Sequence, residues 1–409
     1  MTRLKIANNG SYFLVLSMFY IVSPIICLMI SLLFYKKTVS QFFFVAFAFY
    51  FGYQIGANLD LMNHYNNYKT FFGRSFFDMY SDLVTLHLGK EPFHISLKYI
   101  LSRFYVSQRV FSATVCTLYS IAFIYYIRQF KDFYLRKIDS MRLLVLMVMA
   151  VTIEFYWYFG VRFWLAGFIF MIFYCKYVLT GKKRYIFLTA LSALFHVVLI
   201  TATLVVIAVE FTRNNRILQF SILLISFIYK NIEFGLMKIL SGNQFVQIFY
   251  KDAYQKSNVQ RAIVARAKEY YEHGNMVYQN RTPMMLLFFF FMIFLLWTRN
   301  KDVLKSYPKM FGCVLMMLAL SNFFHSDFVF YERFIKLTCL IGYSYLFLIL
   351  FDKKNQWICN SIFIKVCLFG IVILSLLISC VQERQILSEM LIWFGNFFFP
   401  APMQEIPYD

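Results

Sequence analysis

The feature that most limits what this chain can fold into is repetition. Nearly uncharged apolar runs of about 17 to 25 residues recur from Tyr12 to Cys380. Lipid offers the backbone no hydrogen-bond partner, so such runs cross a bilayer as helices or not at all. The runs fall at roughly 12–35, 42–57, 110–127, 143–159, 163–179, 217–240, 283–297, 310–324, 334–350 and 359–380. A further run, 185–209, is set apart because His196 interrupts it. The expectation is an all-α, polytopic transmembrane bundle of about 10–12 spans, forming one integral membrane domain over 1–409. Composition agrees: 15% of residues are charged, against about a quarter in soluble chains. The first run has no small-residue cleavage site and is expected to stay in place as a span.

The eight cysteines all lie in or beside apolar runs and none forms a Cys-x-x-Cys pair. They read as small packing residues, with neither a disulfide nor a metal site expected. The net charge of +20 is assigned to basic cytoplasmic loops; nucleic acid is not expected, because no soluble basic domain exists to carry it.

Two long polar segments interrupt the pattern, 58–109 and 241–282. Neither is of low complexity, so both are expected to be folded loops. Orientation follows from the Lys and Arg distribution. If the N-terminus is outside and 185–209 enters and returns on one side, the inside segments hold 18 basic residues in 50 positions and the outside segments 17 in 147. If 185–209 crosses once, the figures become 18 in 106 and 17 in 91, and the asymmetry vanishes. The chain is therefore expected to dip in, break near His196 and come back, with His196 at the floor of a cavity. The alternative is a single span with a helix-packing histidine. In the hairpin topology both long segments, 58–109 and 241–282, are extracytoplasmic loops.

The groups able to carry chemistry then converge on that face. Asp60 follows the second run, and Tyr65 and Tyr68 share a helix face on which sugar rings can stack. Glu91 precedes Pro92, which favours a first helical position, so Glu91 is either a functional carboxylate or a helix cap. Arg162 opens the run after it, where a guanidinium and a helix N-terminus together suit phosphate; snorkelling to lipid is the plain alternative. His325, Asp327, Glu332 and Arg333 crowd one short turn, as a base–orienter pair with a phosphate ligand or as a wetted charge cluster. Arg261, Arg266 and Lys268 form the basic edge of an interfacial helix in the second loop, facing an anionic headgroup, an acidic sugar or only water. The sequence has no Gly-rich phosphate loop, no Gly-x-Ser-x-Gly elbow and no Asp-x-Asp pair for a nucleotide-sugar metal.

In order and spacing these features resemble the EpsG-type branch of the Wzy family, the polysaccharide polymerases of bacterial envelopes. The shared signs are Asp60 with Tyr65 and Tyr68, Glu91-Pro92-Phe93, Arg162-x-x-x-Ala166, the GKKRY turn, the LFH stretch ending in His196, and Glu332-Arg333-Phe334. Members often carry Gln after the arginine, where this chain has Phe163. The resemblance implies a multi-pass enzyme of the bacterial cytoplasmic (inner) membrane with its active site on the extracytoplasmic side. It implies a metal-independent glycosyltransferase, without cofactor, that joins polyprenyl-pyrophosphate-linked oligosaccharide repeats into a lipopolysaccharide O-antigen or capsule. Membrane lipids, a chain-length regulator and a flippase are the partners it brings. On this reading Arg162 and Arg333 hold pyrophosphate, with Arg266 third, and Glu91, Asp60 and His325, in that order, are the base candidates. Tyr65 and Tyr68 contact sugar, and His196 lines the cavity and orients Arg162 or a phosphate. An O-antigen ligase-like transfer to another acceptor is the nearest alternative. A flippase would require pseudo-symmetric halves, which the sequence lacks.

Overall fold

A computed structural model describes residues 9–33, 38–55, 59–84, 91–130, 138–153, 161–212, 215–228, 276–325 and 328–382. Every regular element among them is helical. The N-terminal part comprises α1 (Asn9–Val22), α2 (Pro24–Leu33), α3 (Thr38–Ile55), α4 (Leu59–Lys69), α5 (Phe76–Val84), α6 (Pro92–Ser102) and α7 (Gln108–Arg128). Next come α8 (Ser140–Val151), α9 (Val161–Thr180), α10 (Arg184–Thr189) with a 3-10 turn at Ala190–Leu194, α11 (Leu199–Phe211) and α12 (Arg216–Ile228). The C-terminal part is α13 (Met276–Arg299), α14 (Pro308–Phe323), α15 (Phe328–Ile349), α16 (Gln356–Cys359) and α17 (Ile362–Gln382).

Each expected apolar run contains a helix, but length separates them. Among the described residues, three helices are long and apolar enough to cross a membrane: Gln108–Arg128, Arg162–Thr180 and Arg281–Arg299. A fourth is the pair Phe330–Ile349 and Lys353–Cys359, bent by 103°. Shorter apolar helices of 10–17 residues, among them Ser140–Val151, Leu199–Phe211 and Arg216–Ile228, make up most of the rest. At 1.5 Å per residue they fall short of the roughly 30 Å hydrocarbon layer.

The run 12–35 is corrected. Pro24 lacks an amide proton and opens a new helix, so the run breaks at Ser23 into α1 and α2. The two fold back on each other, because Cys27 Sγ reaches the Leu16 carbonyl at 3.5 Å. Tyr12 correspondingly meets Ser40, at the start of α3, through a 2.9 Å hydroxyl contact. The N-terminal end of α1 thus lies beside the start of α3, not a full span away.

The core is built from α7, α8, α9, α11, α13, α14, α15 and α17. α3 packs against α7 most closely at Gly52, where an added Cβ would come within 2.8 Å of the Ala113 backbone. Gly181, with φ +70, ends α9 by donating its amide to the Tyr177 carbonyl at 2.8 Å. This turn sends α10 back along α9.

The broken element at His196 is a hairpin. Its first arm ends at Phe163, in the first turn of α9, where the His196 ring lies 5.5 Å from the Phe163 ring. Its second arm, α11, ends at the opposite end of α9, where Glu210 accepts from the Tyr177 hydroxyl and pairs with Lys309 at 2.8 Å. Residues of α10 also pack against α11, which a straight run would forbid by about 15 Å over ten residues. The chain therefore enters and leaves at one end of α9 and turns at the other. The turn reaches the level of Arg162, so His196 sits beside the candidate site and not beneath it.

Candidate functional site

Five elements meet where α9 begins. Glu91 stands immediately before α6 in extended conformation, followed by Pro92 at the first helical position, and makes no side-chain cap. That removes simple capping as its role. Its carboxylate turns inward, with the side chain 7% exposed, and accepts from Arg162 Nη1 at 3.3 Å. Its other oxygen lies 4.0 Å from His196 Nδ1. Arg162 is in the first turn of α9 and keeps 35% of its side chain exposed. One face of the guanidinium is thus held by a buried carboxylate while the rest is open to an anion, at a helix end where backbone amides add positive potential.

His196 is positioned by the hairpin turn. Its Nδ1 accepts the Val198 amide at 3.4 Å, which places the ring proton on Nε2. A proton on Nδ1 would exchange this weak bond for an ion pair with Glu91. The His196 ring meets the edge of Phe163, whose ring also lies 5.3 Å from the Arg333 guanidinium. Phe163 therefore connects His196 with Arg333 at the start of α15. An aromatic ring suits this place, because its face attracts the guanidinium without neutralising it.

Two further imidazoles complete the cluster, and the sequence reading passed over both. His94 lies one helical turn beyond Glu91 and stacks on His64 of α4 at 5.8 Å and 26°. Glu91 and His94 share a face at three-residue spacing, the one signal from which His94 could have been found. Burial, with the nearby Arg162 and Lys98 charges, pushes His94 down to about 3, against the raising effect of the Phe195 carbonyl. Burial, Lys98, Arg162 and His94 push His64 down in the same way. Both rings are therefore neutral at ordinary pH. His94 Nε2 is buried and has no hydrogen-bond partner.

The remaining candidates separate. Tyr68 is fully buried and donates to the carbonyls of Leu101 and Val106, at 3.3 and 3.2 Å. Tyr65 stacks on Tyr68 at 5.4 Å and meets Phe111 edge-on at 5.8 Å. The expected sugar platform is therefore corrected for Tyr68, which is a packing group against α7; Tyr65, packed on Phe111, keeps part of its surface exposed. His325 is exposed at the turn after α14, its ring 4.6 Å from Tyr331. Glu332 pairs with Lys336 at 2.6 Å, one turn into α15. Asp60 is in the first turn of α4, and only its backbone is described. Arg266, Asp327 and most of the second polar segment lie outside the described residues. Arg281, counted above with that segment, is instead inside α13, 2% exposed, and donates to the Val151 and Thr152 carbonyls at 2.5 and 3.2 Å.

The site as described is a buried carboxylate aiming a half-exposed guanidinium, with a second guanidinium across an aromatic ring and three imidazoles alongside. It can hold a doubly or multiply charged anion and move a proton. No family model, no curated protein and no solved structure matches this chain.

Proposed function

We propose that this chain is a membrane glycosyltransferase that joins polyprenyl-pyrophosphate-linked oligosaccharide repeats into a surface polysaccharide. The reading places it as a multi-pass protein of a bacterial cytoplasmic membrane, with the Glu91–Arg162 end facing out. One observation carries it: Arg162, at the mouth of a membrane-length helix, is held by a buried carboxylate while its remaining donors stay open. Pyrophosphate is the leaving group such an arrangement suits, since it leaves with charge that fixed guanidinium groups stabilise. The hairpin at His196 adds support, because the basic-residue asymmetry needs both of its arms to end on one side.

In the proposed reaction the acceptor hydroxyl attacks the anomeric carbon of a lipid-linked chain. The bond from that carbon to the pyrophosphate oxygen breaks, and the electron pair leaves with the pyrophosphate. Arg162 and Arg333 take up the developing charge, with the sugar brought in line above them. Glu91 is shared between Arg162 and His196, so its part is to aim the guanidinium. The hydroxyl proton passes to His325, which has an open approach from solvent, whereas Glu91 is enclosed.

The test is a gel of lipid-linked glycans from cells lacking the protein beside wild type. A ladder collapsing to a single repeat identifies the polymerase. A ladder that persists on carrier lipid without reaching its final acceptor identifies a ligase, and absence of repeats from the outer face identifies a flippase. Orientation is read separately by cysteine labelling at Lys182 and Asn215, which flank the hairpin. Both positions label from the cytoplasmic side; labelling from opposite sides would show a single crossing and overturn the topology.

A further inference from the structure

Helix α5 is nine residues long, about 14 Å, and so cannot span a bilayer. It is nevertheless apolar on two faces. Met79 is buried over Phe71 and Ile95, with Leu83 and Tyr99 at the rim. On the other face Phe76, Phe77, Tyr80 and Val84 are 56%, 78%, 55% and 56% exposed. The turn after α6 extends this surface with Phe104 and Tyr105, 73% and 68% exposed. Tyr105 holds φ +47, a left-handed conformation that a tyrosine adopts at a cost. Its ring lies 5.1 Å from Phe72, and Phe76 lies 6.5 Å from Tyr80 and 6.3 Å from Tyr99, so the rings of this patch form two groups, one at the turn and one on α5 and α6.

Two arginines border it. Arg103 stacks over Tyr99 at 4.2 Å and donates to the Arg74 carbonyl. Arg74 lies 5.2 Å from the Phe71 ring. The depth of the patch is set by α7: Ser107 caps that helix, which is long and apolar enough to cross, and Phe104 and Tyr105 stand just before the cap. The patch is therefore at the end of a spanning helix, where the hydrocarbon gives way to phosphate. Aromatic rings concentrate at that level, and guanidinium groups reach from it to phosphate oxygens. The same patch facing water would be an aggregation surface.

We infer that α5 and the Phe104–Tyr105 turn lie in the headgroup layer on the Glu91 side, with phospholipid as their partner. The rings enter the acyl boundary and Arg74 and Arg103 meet phosphates. The inference rests on α7 crossing a membrane and not on the glycosyltransferase reading, so a failed glycan test leaves it standing.

It is tested on the full chain in vesicles of phosphatidylethanolamine and phosphatidylglycerol, with Cys367 and Cys380 replaced by serine. Nitroxide is placed at Phe77→Cys and, separately, at Tyr80→Cys, so that one poorly folding variant does not decide the outcome. Collisions with oxygen should exceed those with a water-soluble nickel chelate at both sites, and the reverse should hold at Lys182→Cys. A nickel preference at positions 77 and 80 like that at 182 would overturn the inference. Spin–spin broadening at position 77 that disappears on dilution with unlabelled protein would also overturn it, assigning the patch to a second copy of the chain.

Discussion

At one end of α9 Arg216 and Arg142 hold backbone carbonyls; at the other Arg162 faces a buried carboxylate and Arg333 an aromatic ring. Near the α9 C-terminus, Arg216 donates to the Leu304 and Pro308 carbonyls at 3.1 and 2.7 Å, and Arg142 donates to the Leu350 carbonyl at 2.7 Å. Lys309 pairs with Glu210 and donates to the Tyr177 hydroxyl, fastening α9, α11 and α14 together. The Leu350 carbonyl, at the end of α15, is one that a helix end leaves without a partner, and Arg142 satisfies it. Arg216 and Arg142 also bind Gln219 and Asp139, respectively, so both are tied to the protein at more than one point. Arg162 differs: its anchor is a single buried carboxylate, and a third of its side chain stays open. The number of partners and the exposure left over separate Arg142, 9% exposed, from Arg162, 35% exposed.

The largest effect that sharpens this contrast is expected from Arg162→Ala. Polymer length should collapse, with a rate loss of about a hundredfold or more if Arg162 stabilises the leaving charge. Protein level by immunoblot should stay near normal; full polymer from a folded variant would remove Arg162 from the site. Glu91→Gln should lower the rate about tenfold, the worth of one charge-assisted bond to the guanidinium. A Gln variant as dead as Arg162→Ala would instead make Glu91 a proton acceptor.

The third prediction concerns pH. His94 has an ordinary value of 6.5 and a folded value pushed to about 3 by burial. Between these values the unfolded chain binds a proton that the folded chain does not. Stability is therefore fully present above about 6.5 and falls as pH drops toward 3, by at most about 1.4 kcal/mol per pH unit. His94→Gln should flatten that slope in a thermal melt followed from pH 7 to 5. An unchanged slope would place the titration elsewhere. The smallest effect is expected at the other end, where Lys309→Met should cost about 1 kcal/mol of stability and leave chain length unchanged. A change in polymer from Lys309→Met would show that the two ends are coupled through α9.

Legibility differed by residue. Glu91 and Arg162 were readable because a carboxylate before Pro92 and a cation at the mouth of an apolar run are costly choices. The break at His196 was readable from the basic-residue count, since a crossing there erased an asymmetry that biosynthesis imposes. Tyr68 misled, because helical spacing says that two rings share a face and not what that face meets. His64 and His94 were overlooked for a related reason: each stands in a short polar helix, and only the packing of α4 on α6 stacks them. Arg281 looked like a loop residue because α13 begins five residues earlier, in sequence too polar to read as helix.

By itself the sequence determined that this chain is helical and lipid-adapted, since long uncharged runs have no other way to satisfy their backbones. It also determined which few ionisable residues stand at the ends of those runs. Only the tertiary structure decided that α1 and α2 fold back at Pro24, that the hairpin turn rises to the level of Arg162, and that Glu91, Arg162 and His196 meet. Hydrophobic periodicity acts along the chain and fixes each element, whereas the meeting of Glu91, Arg162 and His196 joins residues more than thirty positions apart, and packing alone brings such distant groups together.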